Sequence, residues 1–194
     1  MYKQSQLESA LDTLRANSDR VPSNLTEAFQ DGKVKVLSNV VILRKEVSVG
    51  GKQSLVDSDT KKVDGVSDFD GNKLVDYRAL IVNAMKIGYS AHADAGKEAE
   101  LDYKTVLPIA LRNSRLKITQ GGIIFDYPLS ALGNPHTGTN LKDDIVILPQ
   151  SFVFVPNQSF EIELAYPKGA AIAGANKHYL ELSFISEETR LSNS

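Results

Sequence analysis

The chain has 194 residues, of which 42% are hydrophobic and 24% are charged, a balance typical of one globular domain rather than a disordered segment. Its 22 basic and 24 acidic residues leave a formal net charge of −2, so no overall positive field favours the binding of nucleic acid. It contains no cysteine, which excludes disulfides, thiolate nucleophiles and zinc sites built on cysteine.

A helical N-terminal arm is predicted over residues 1–32. Its first helix covers residues 5–17, because Ser5 and Glu8 have the spacing of a capping box. The apolar side chains of that helix recur at helical spacing and form one stripe: Leu7, Ala10, Leu11 and Leu14. A second short helix is predicted over residues 24–30 and ends at the following Asp-Gly pair. Since a helix of about 13 residues is marginal in isolation, the stripe needs a partner in this domain or in another subunit.

A single β domain is predicted over residues 33–194, because the apolar period changes to two at its start. One or two strands are expected from Val34 to Val49. A further strand is expected from Arg78 to Ser90, where Ile, Val and Tyr dominate. Between them, residues 52–76 are polar and rich in turn-forming residues, which predicts a long loop. Loops of that length are often contact or binding segments.

The C-terminal half contains the clearest strand patterns. A hairpin is expected around the Gly-Gly pair at residues 121–122, with apolar residues on both sides. Two short strands are expected at residues 145–148 and 151–155. The strands at residues 160–164 and 180–184 alternate apolar and polar side chains, so each has one solvent-facing side. Short strands separated by turn signals are typical of an antiparallel β-sandwich or barrel, so the predicted fold class is mainly β.

The long polar loop contains the candidate ligands for a cation. Carboxylates two residues apart beside a glycine are the pattern that calcium loops use, because a hard cation needs about six to eight oxygen ligands. Asp68, Asp70 and Asn72 are the candidates. The motif lacks the terminal glutamate of an EF-hand loop, so the pattern favours solvated turns over a cation site.

No catalytic centre, cofactor site or metal centre is predicted beyond that loop. None of the three histidines lies within metal-ligand spacing of another, and no nucleophile elbow or phosphate-binding loop occurs. Glu161 and Glu163 point the same way from one strand and, with Asp126, are the carboxylates that an enzyme on this scaffold would use. Alternating solvent-facing glutamates are much commoner on strands, so the sequence favours a protein that is not an enzyme.

Nucleic-acid and membrane partners are not strongly indicated either. Basic side chains cluster only locally, at Lys104, Arg112, Arg115 and Lys117, and the chain has no Trp to interleave with them. No apolar run approaches the roughly 18 residues of a membrane-spanning helix. The N-terminus lacks the apolar stretch of a signal peptide, so the chain is expected to stay where it is made or to leave by a route such as cell lysis.

Three segments of the C-terminal half carry a resemblance to a known class of protein: LPIALRNSRLKITQGGIIFDYPLSAL, ILPQSFVFVPNQSFEIELAYP and HYLELSFISEETR. They contain a Tyr-Pro-Leu step at residues 127–129, a Pro-Asn-Gln unit at residues 156–158 before an alternating strand, and a last strand over residues 180–185. In these features residues 105–190 resemble the coat-type β-sandwich proteins of bacteriophages. The resemblance implies a jelly-roll-like sandwich whose work is self-assembly, while residues 33–104 do not align with the pattern.

The preferred hypothesis is therefore a structural virion protein, a self-assembling capsid or capsid-associated component of a bacteriophage. It implies a protein that is made in the host cytoplasm, is located in the virion, needs no cofactor, and has further copies and other virion proteins as partners. Leu7, Leu11 and Leu14 of the arm are the predicted subunit contacts. The alternative is a ligand- or carbohydrate-binding β-sandwich of the receptor-binding or adhesion type, although 7% of aromatic residues is modest for a sugar-binding protein.

Overall fold

The computed structural model of the chain contains eight strands and a few short helices in the part that it describes. That part comprises residues 2–48, 50–104, 106–133, 144–172 and 174–192, with the side chains of residues 2–7 excepted. Its helices are α1 (Tyr2–Ala16), α2 (Ser23–Gln30) and α3 (Ile109–Arg112), with a 3-10 turn at Leu129–Ala131. Its strands are β1 (Val34–Val47), β2 (Lys52–Val56), β3 (Leu80–His92), β4 (Arg115–Thr119), β5 (Ile123–Pro128), β6 (Ile145–Phe154), β7 (Glu161–Ala165) and β8 (Lys177–Leu191).

Two four-stranded antiparallel sheets pack as a sandwich, which confirms the predicted fold class and its short helical N-terminal segment. The long sheet has the strand order β1-β8-β3-β6, and the short sheet has the order β2-β7-β4-β5. The pairs β1·β8, β2·β7, β3·β6 and β4·β5 nest inside one another. The chain is thus one long hairpin, folded so that successive pairs alternate between the two sheets.

The main core lies between the sheets and follows from the period of two along each strand. Leu180, Leu182 and Phe184 of β8 enter it from the long sheet, and Ile162 and Leu164 of β7 enter it from the short sheet. This inward alternation matches the sequence prediction for both strands.

A second, smaller core lies on the outer face of the long sheet, where the two N-terminal helices pack. Ala10 and Leu14 of α1 and Leu25 of α2 are buried there against Ile81 of β3 and Val153 of β6. Because β3 is thus buried on both faces at this end, its sequence reads as a continuous apolar run rather than an alternation.

Several boundaries differ from those expected. The first five residues of the predicted loop at 52–76 form β2 at the edge of the short sheet. The two short strands predicted in residues 145–155 form one strand, β6, whose register with β3 shifts at a bulge. Helix α1 begins at Tyr2, so Ser5 lies inside the helix rather than at its cap. The Asp-Gly end of α2 is confirmed, with Gly32 in the left-handed region at φ 68°.

Two glutamates of β8 are buried: Glu181, which alternation with Leu180 and Leu182 places on the solvent-facing side, and Glu188. Glu181 is 6% exposed and pairs with Arg44 of β1 at 2.7 Å. Glu188 is fully buried and forms ion pairs with Arg78 at 2.9 Å and with Arg190 at 2.7 Å. Each buried carboxylate is therefore compensated by arginine, as buried charges require.

The hairpin turn between β4 and β5 is tied to the segment that follows β6 through Gln120, which is 1% exposed. Its Nε2 donates hydrogen bonds to the carbonyl oxygens of Val155 at 2.9 Å and Gln158 at 2.8 Å. Its Oε1 accepts hydrogen bonds from the Val155 amide at 2.9 Å and from Nη2 of Arg20 at 3.1 Å. One side chain thus joins the turn, the segment after β6 and the loop between the two N-terminal helices.

We expect Gln120→Met to lower the free energy of unfolding by about 2 to 3 kcal/mol. Methionine keeps the volume of the side chain, but it leaves the backbone groups of Val155 and Gln158 without these hydrogen bonds. Urea unfolding followed by circular dichroism measures the change. Gln150→Met, at an exposed position of β6, is the control and should stay within about 0.5 kcal/mol of the wild type. Equal effects of the two substitutions would refute the role given to Gln120.

Candidate functional site: an apolar groove on the long sheet

The candidate cation ligands of the long loop have other roles or stand apart. Oδ2 of Asp68 accepts a hydrogen bond from the backbone amide of Ile42 at 2.8 Å, which holds the loop against β1. Asp70 is exposed, and the carbonyl of Asn72 accepts a hydrogen bond from the amide of Phe160 at 2.8 Å. In the described part of the chain, no three His, Cys, Asp or Glu side chains gather closely enough to hold a metal ion. The geometry therefore adds no support to the cation hypothesis.

The helical stripe that was predicted to make subunit contacts packs in part on this domain. Leu14 is buried, and Leu11 packs against the second core. The side chain of Leu7 lies outside the described residues. Contact between the stripe and another subunit thus stays a prediction, and two of its three leucines already have a partner within the chain.

The carboxylates considered for catalysis lie on the surface of the short sheet. Asp126 pairs with Arg115 across the β4–β5 hairpin at 2.9 Å, and Glu163 pairs with Lys52 at 3.1 Å. Glu161 is exposed. Of the basic side chains considered for nucleic acid, Arg115 and Lys117 of β4 are interleaved with these acids, since Lys117 stands opposite both Asp126 and Glu163 in the register. Arg112 lies on α3, and Lys104 pairs with Tyr89 of the long sheet. This face is consequently a mixed-charge surface.

The two described histidines, His92 and His178, each have their own partners. Nδ1 of His178 lies 2.9 Å from the hydroxyl of Tyr89, and the two rings stack with centroids 6.1 Å apart. Burial lowers the pKa of His178. His92 forms an ion pair with Asp94 at 3.8 Å if it is protonated, and His136 lies outside the described residues.

Among the described residues, other segments cover the outer face of the long sheet at its two ends, and none covers its middle. The N-terminal helices cover one end, as described above. Residues 93–104 cover the other, where the hydroxyl of Tyr179 donates a hydrogen bond to the carbonyl of Asp94 at 2.8 Å. There the guanidinium of Arg44 also stacks on the ring of Tyr103 at 4.8 Å. A groove remains between these two coverings. No sequence pattern predicts it.

The floor of this groove consists of two rows of side chains that cross all four strands. The register places Val40, Ile185, Ala84 and Ile147 in the first row, and Ile42, Ser183, Lys86 and Ile145 in the second. They face outward because the intervening residues, such as Val41, Leu43, Met85 and Phe184, belong to the main core. These eight residues are called the central groove below.

The central groove is mainly apolar and reaches solvent. Ile147 is 80% exposed, Val40 is 49% exposed and Ile145 is 43% exposed. Ile42 and Ile185 are half-buried between them. Single exposed apolar side chains are normal, but a contiguous apolar patch rimmed by polar residues is typical of an interaction surface.

A second exposed apolar element lies in the segment that leads into β4. Ile109, the first residue of α3, is 77% exposed, and Val106 is 49% exposed. Arg112 at the end of the same short helix is exposed. Residues 106–112 are called the α3 segment below. Sequence analysis missed this helix because it has only four residues.

Comparisons with protein-family models, with curated proteins and with solved structures find no match for this chain. Among the described residues, no helix combines the length and the apolar character that crossing a bilayer requires. The functional argument therefore depends on the geometry of the molecule itself.

Proposed function

We propose that this chain is a structural subunit of a virion, a capsid or capsid-associated protein of a bacteriophage, and that it works by self-assembly. The observation that carries the proposal is the strand order, in which four nested pairs alternate between two four-stranded sheets. That order is the one expected for a jelly roll, an eight-stranded architecture used by viral capsid proteins and by lectin domains. In this proposal the protein is made in the host cytoplasm and is incorporated into the virion with other structural proteins.

The distribution of aromatic side chains favours the capsid-type proposal over the sugar-binding one. Every aromatic side chain in the described part of the chain is buried or half-buried. Six of the phenylalanines pack together in the main core, as Phe69, Phe125, Phe152, Phe154, Phe160 and Phe184. Sugar-binding sites usually present aromatic rings to solvent, whereas the exposed apolar side chains here are aliphatic and suit protein–protein contact.

The mass of the purified protein in solution tests this proposal. Light scattering coupled to size exclusion, over a range of protein concentrations and followed by electron microscopy, should show rings, closed oligomers or shells. The monomer has a mass of 21.2 kDa. A species of that mass at every concentration, alone and with other virion proteins of the same phage, would contradict the proposal. Binding in a glycan array by such a monomer would favour the sugar-binding alternative instead.

A further inference from the structure

The central groove and the α3 segment each present a highly exposed aliphatic side chain. The groove lies between the N-terminal helices and residues 93–104, and it crosses four strands, a span of about 15 Å. Helix α3 is a single turn, about 6 Å long, with Ile109 exposed at its start. Ile147 and Ile109 are the two most exposed large apolar side chains in the described part of the chain. One belongs to the groove and the other to a helix that is shorter than the span of the groove.

The charges beside these two surfaces are complementary. Glu187 follows Ile185 on the outer side of β8, one row from the groove floor. Arg112 lies one turn of helix after Ile109. Neither Glu187 nor Arg112 has an ion-pair partner among the described residues. Burial raises the pKa of Glu187, which indicates a partly desolvated carboxylate with no compensating cation nearby.

We propose that the central groove of one copy binds the α3 segment of a second copy, with Ile109 on the apolar floor and Arg112 facing Glu187. This inference rests on the proposed self-assembly and specifies its contact. The contact joins two different surfaces, so each copy keeps a free groove and a free α3 segment after binding. Such head-to-tail contacts close into rings when the rotation between copies permits, and they give helical filaments otherwise.

A pair of variants, one for each surface, tests the contact. Ile147→Asp places a charge in the groove and leaves the α3 segment unchanged. Ile109→Asp places a charge on the α3 segment and leaves the groove unchanged. Both positions are about four-fifths exposed, so both variants should fold like the wild type. We expect each variant alone to be monomeric, and an equimolar mixture of the two to form a dimer and nothing larger. Val75→Asp, at a 68% exposed position on neither surface, is the matched control and should keep the mass of the wild type.

The charged pair supplies a second, independent test in the same chain. Glu187→Arg and Arg112→Glu should each raise the dissociation constant about tenfold or more, because like charges then face each other. The two changes together should restore affinity to within a fewfold of the wild type. Circular dichroism of each variant controls for folding.

The outcomes separate the contact from the proposed function. If the wild type assembles and both Asp variants assemble as it does, the contact is refuted while self-assembly stands. If each variant is monomeric and their mixture stays monomeric, the two surfaces do not meet, and the head-to-tail contact is refuted. If the wild type never assembles, the proposed function and the contact both fail.

Discussion

Phe69→Ala is expected to lower the free energy of unfolding by about 3 to 5 kcal/mol, the cost of a large cavity in a packed core. Phe69 belongs to the long polar loop, yet it is 1% exposed. Its ring centroid lies 5.3 Å from that of Phe160, 6.1 Å from that of Phe154 and 6.0 Å from that of Phe184. The loop therefore contributes the central ring of an aromatic cluster that joins both sheets.

Urea unfolding at fixed protein concentration measures this effect, because assembly would otherwise make the stability depend on concentration. Val63→Ala is the matched control, since Val63 is an apolar residue of the same loop that is 49% exposed, and it should change stability by less than about 0.5 kcal/mol. Phe69→Leu, which leaves a smaller cavity, should cost about 1 to 2 kcal/mol and keeps the test informative if the alanine variant does not fold. A loss below about 1 kcal/mol for Phe69→Ala would mean that the loop does not complete the core.

Glu188→Gln is expected to destabilise the protein by about 3 kcal/mol at neutral pH, because it leaves two arginines without their shared anion. Glu188 is fully buried and is hydrogen-bonded by Arg78, Arg190 and Asn39. The lower end of the usual range applies, since both guanidinium groups retain contact with water. Urea unfolding of the two proteins at pH 7 measures the difference.

The same substitution has a pH dependence whose sign follows from the pKa of Glu188. Burial alone would raise that pKa, but the hydrogen bond from Arg190, the charge of Arg78 and the hydrogen bond from Asn39 together lower it below its usual value of 4.5. As the pH falls, the unfolded chain binds this proton before the folded chain does. The carboxylate's contribution is thus complete above about pH 5 and is lost as the pH falls from 4.5 through the lower, folded-state pKa.

The difference between wild type and Glu188→Gln should accordingly shrink when unfolding is measured at successive pH values from 5 to 3. Glu161→Gln, at an exposed position on β7, is the control and should differ from the wild type by less than about 0.5 kcal/mol at every pH. A difference for Glu188→Gln that does not change with pH would show that the carboxylate is not the group responsible.

Local sequence patterns predicted most of the strands and both N-terminal helices of this protein. The alternation in β7 and β8 predicts a strand with one apolar side, and Phe160, Ile162, Leu180 and Phe184 do enter the core. The Gly-Gly pair at residues 121–122 predicts the β4–β5 hairpin, because Gly121 adopts φ 68° and a side chain there would meet that of Gln158. These features depend on near neighbours in the chain, so the sequence alone is sufficient for them.

Features that depend on distant segments were not predictable in this way. The polar composition of residues 52–76 conceals both β2 and the buried ring of Phe69, because one apolar side chain among aspartates gives no periodic signal. The buried state of Glu188 depends on Arg78, which lies 110 positions away in the chain. Strand order is likewise a property of pairing between distant segments, which the period of two does not specify.

The candidate site shows the same division between sequence and tertiary structure. The sequence directed attention to Asp68, Asp70 and Asn72, residues with recognisable chemistry, whereas the central groove consists of aliphatic side chains from four separate strands. Val40 and Ile147 lie in apolar strand segments like those of Ile81 and Val153, which the N-terminal helices cover. Only the placement of those helices and of residues 93–104 decides which positions stay uncovered. The sequence by itself thus determined most of the elements and their apolar faces. The tertiary structure alone decided which of those faces are buried within the chain and which remain exposed for a partner, because burial depends on contacts between segments far apart in sequence.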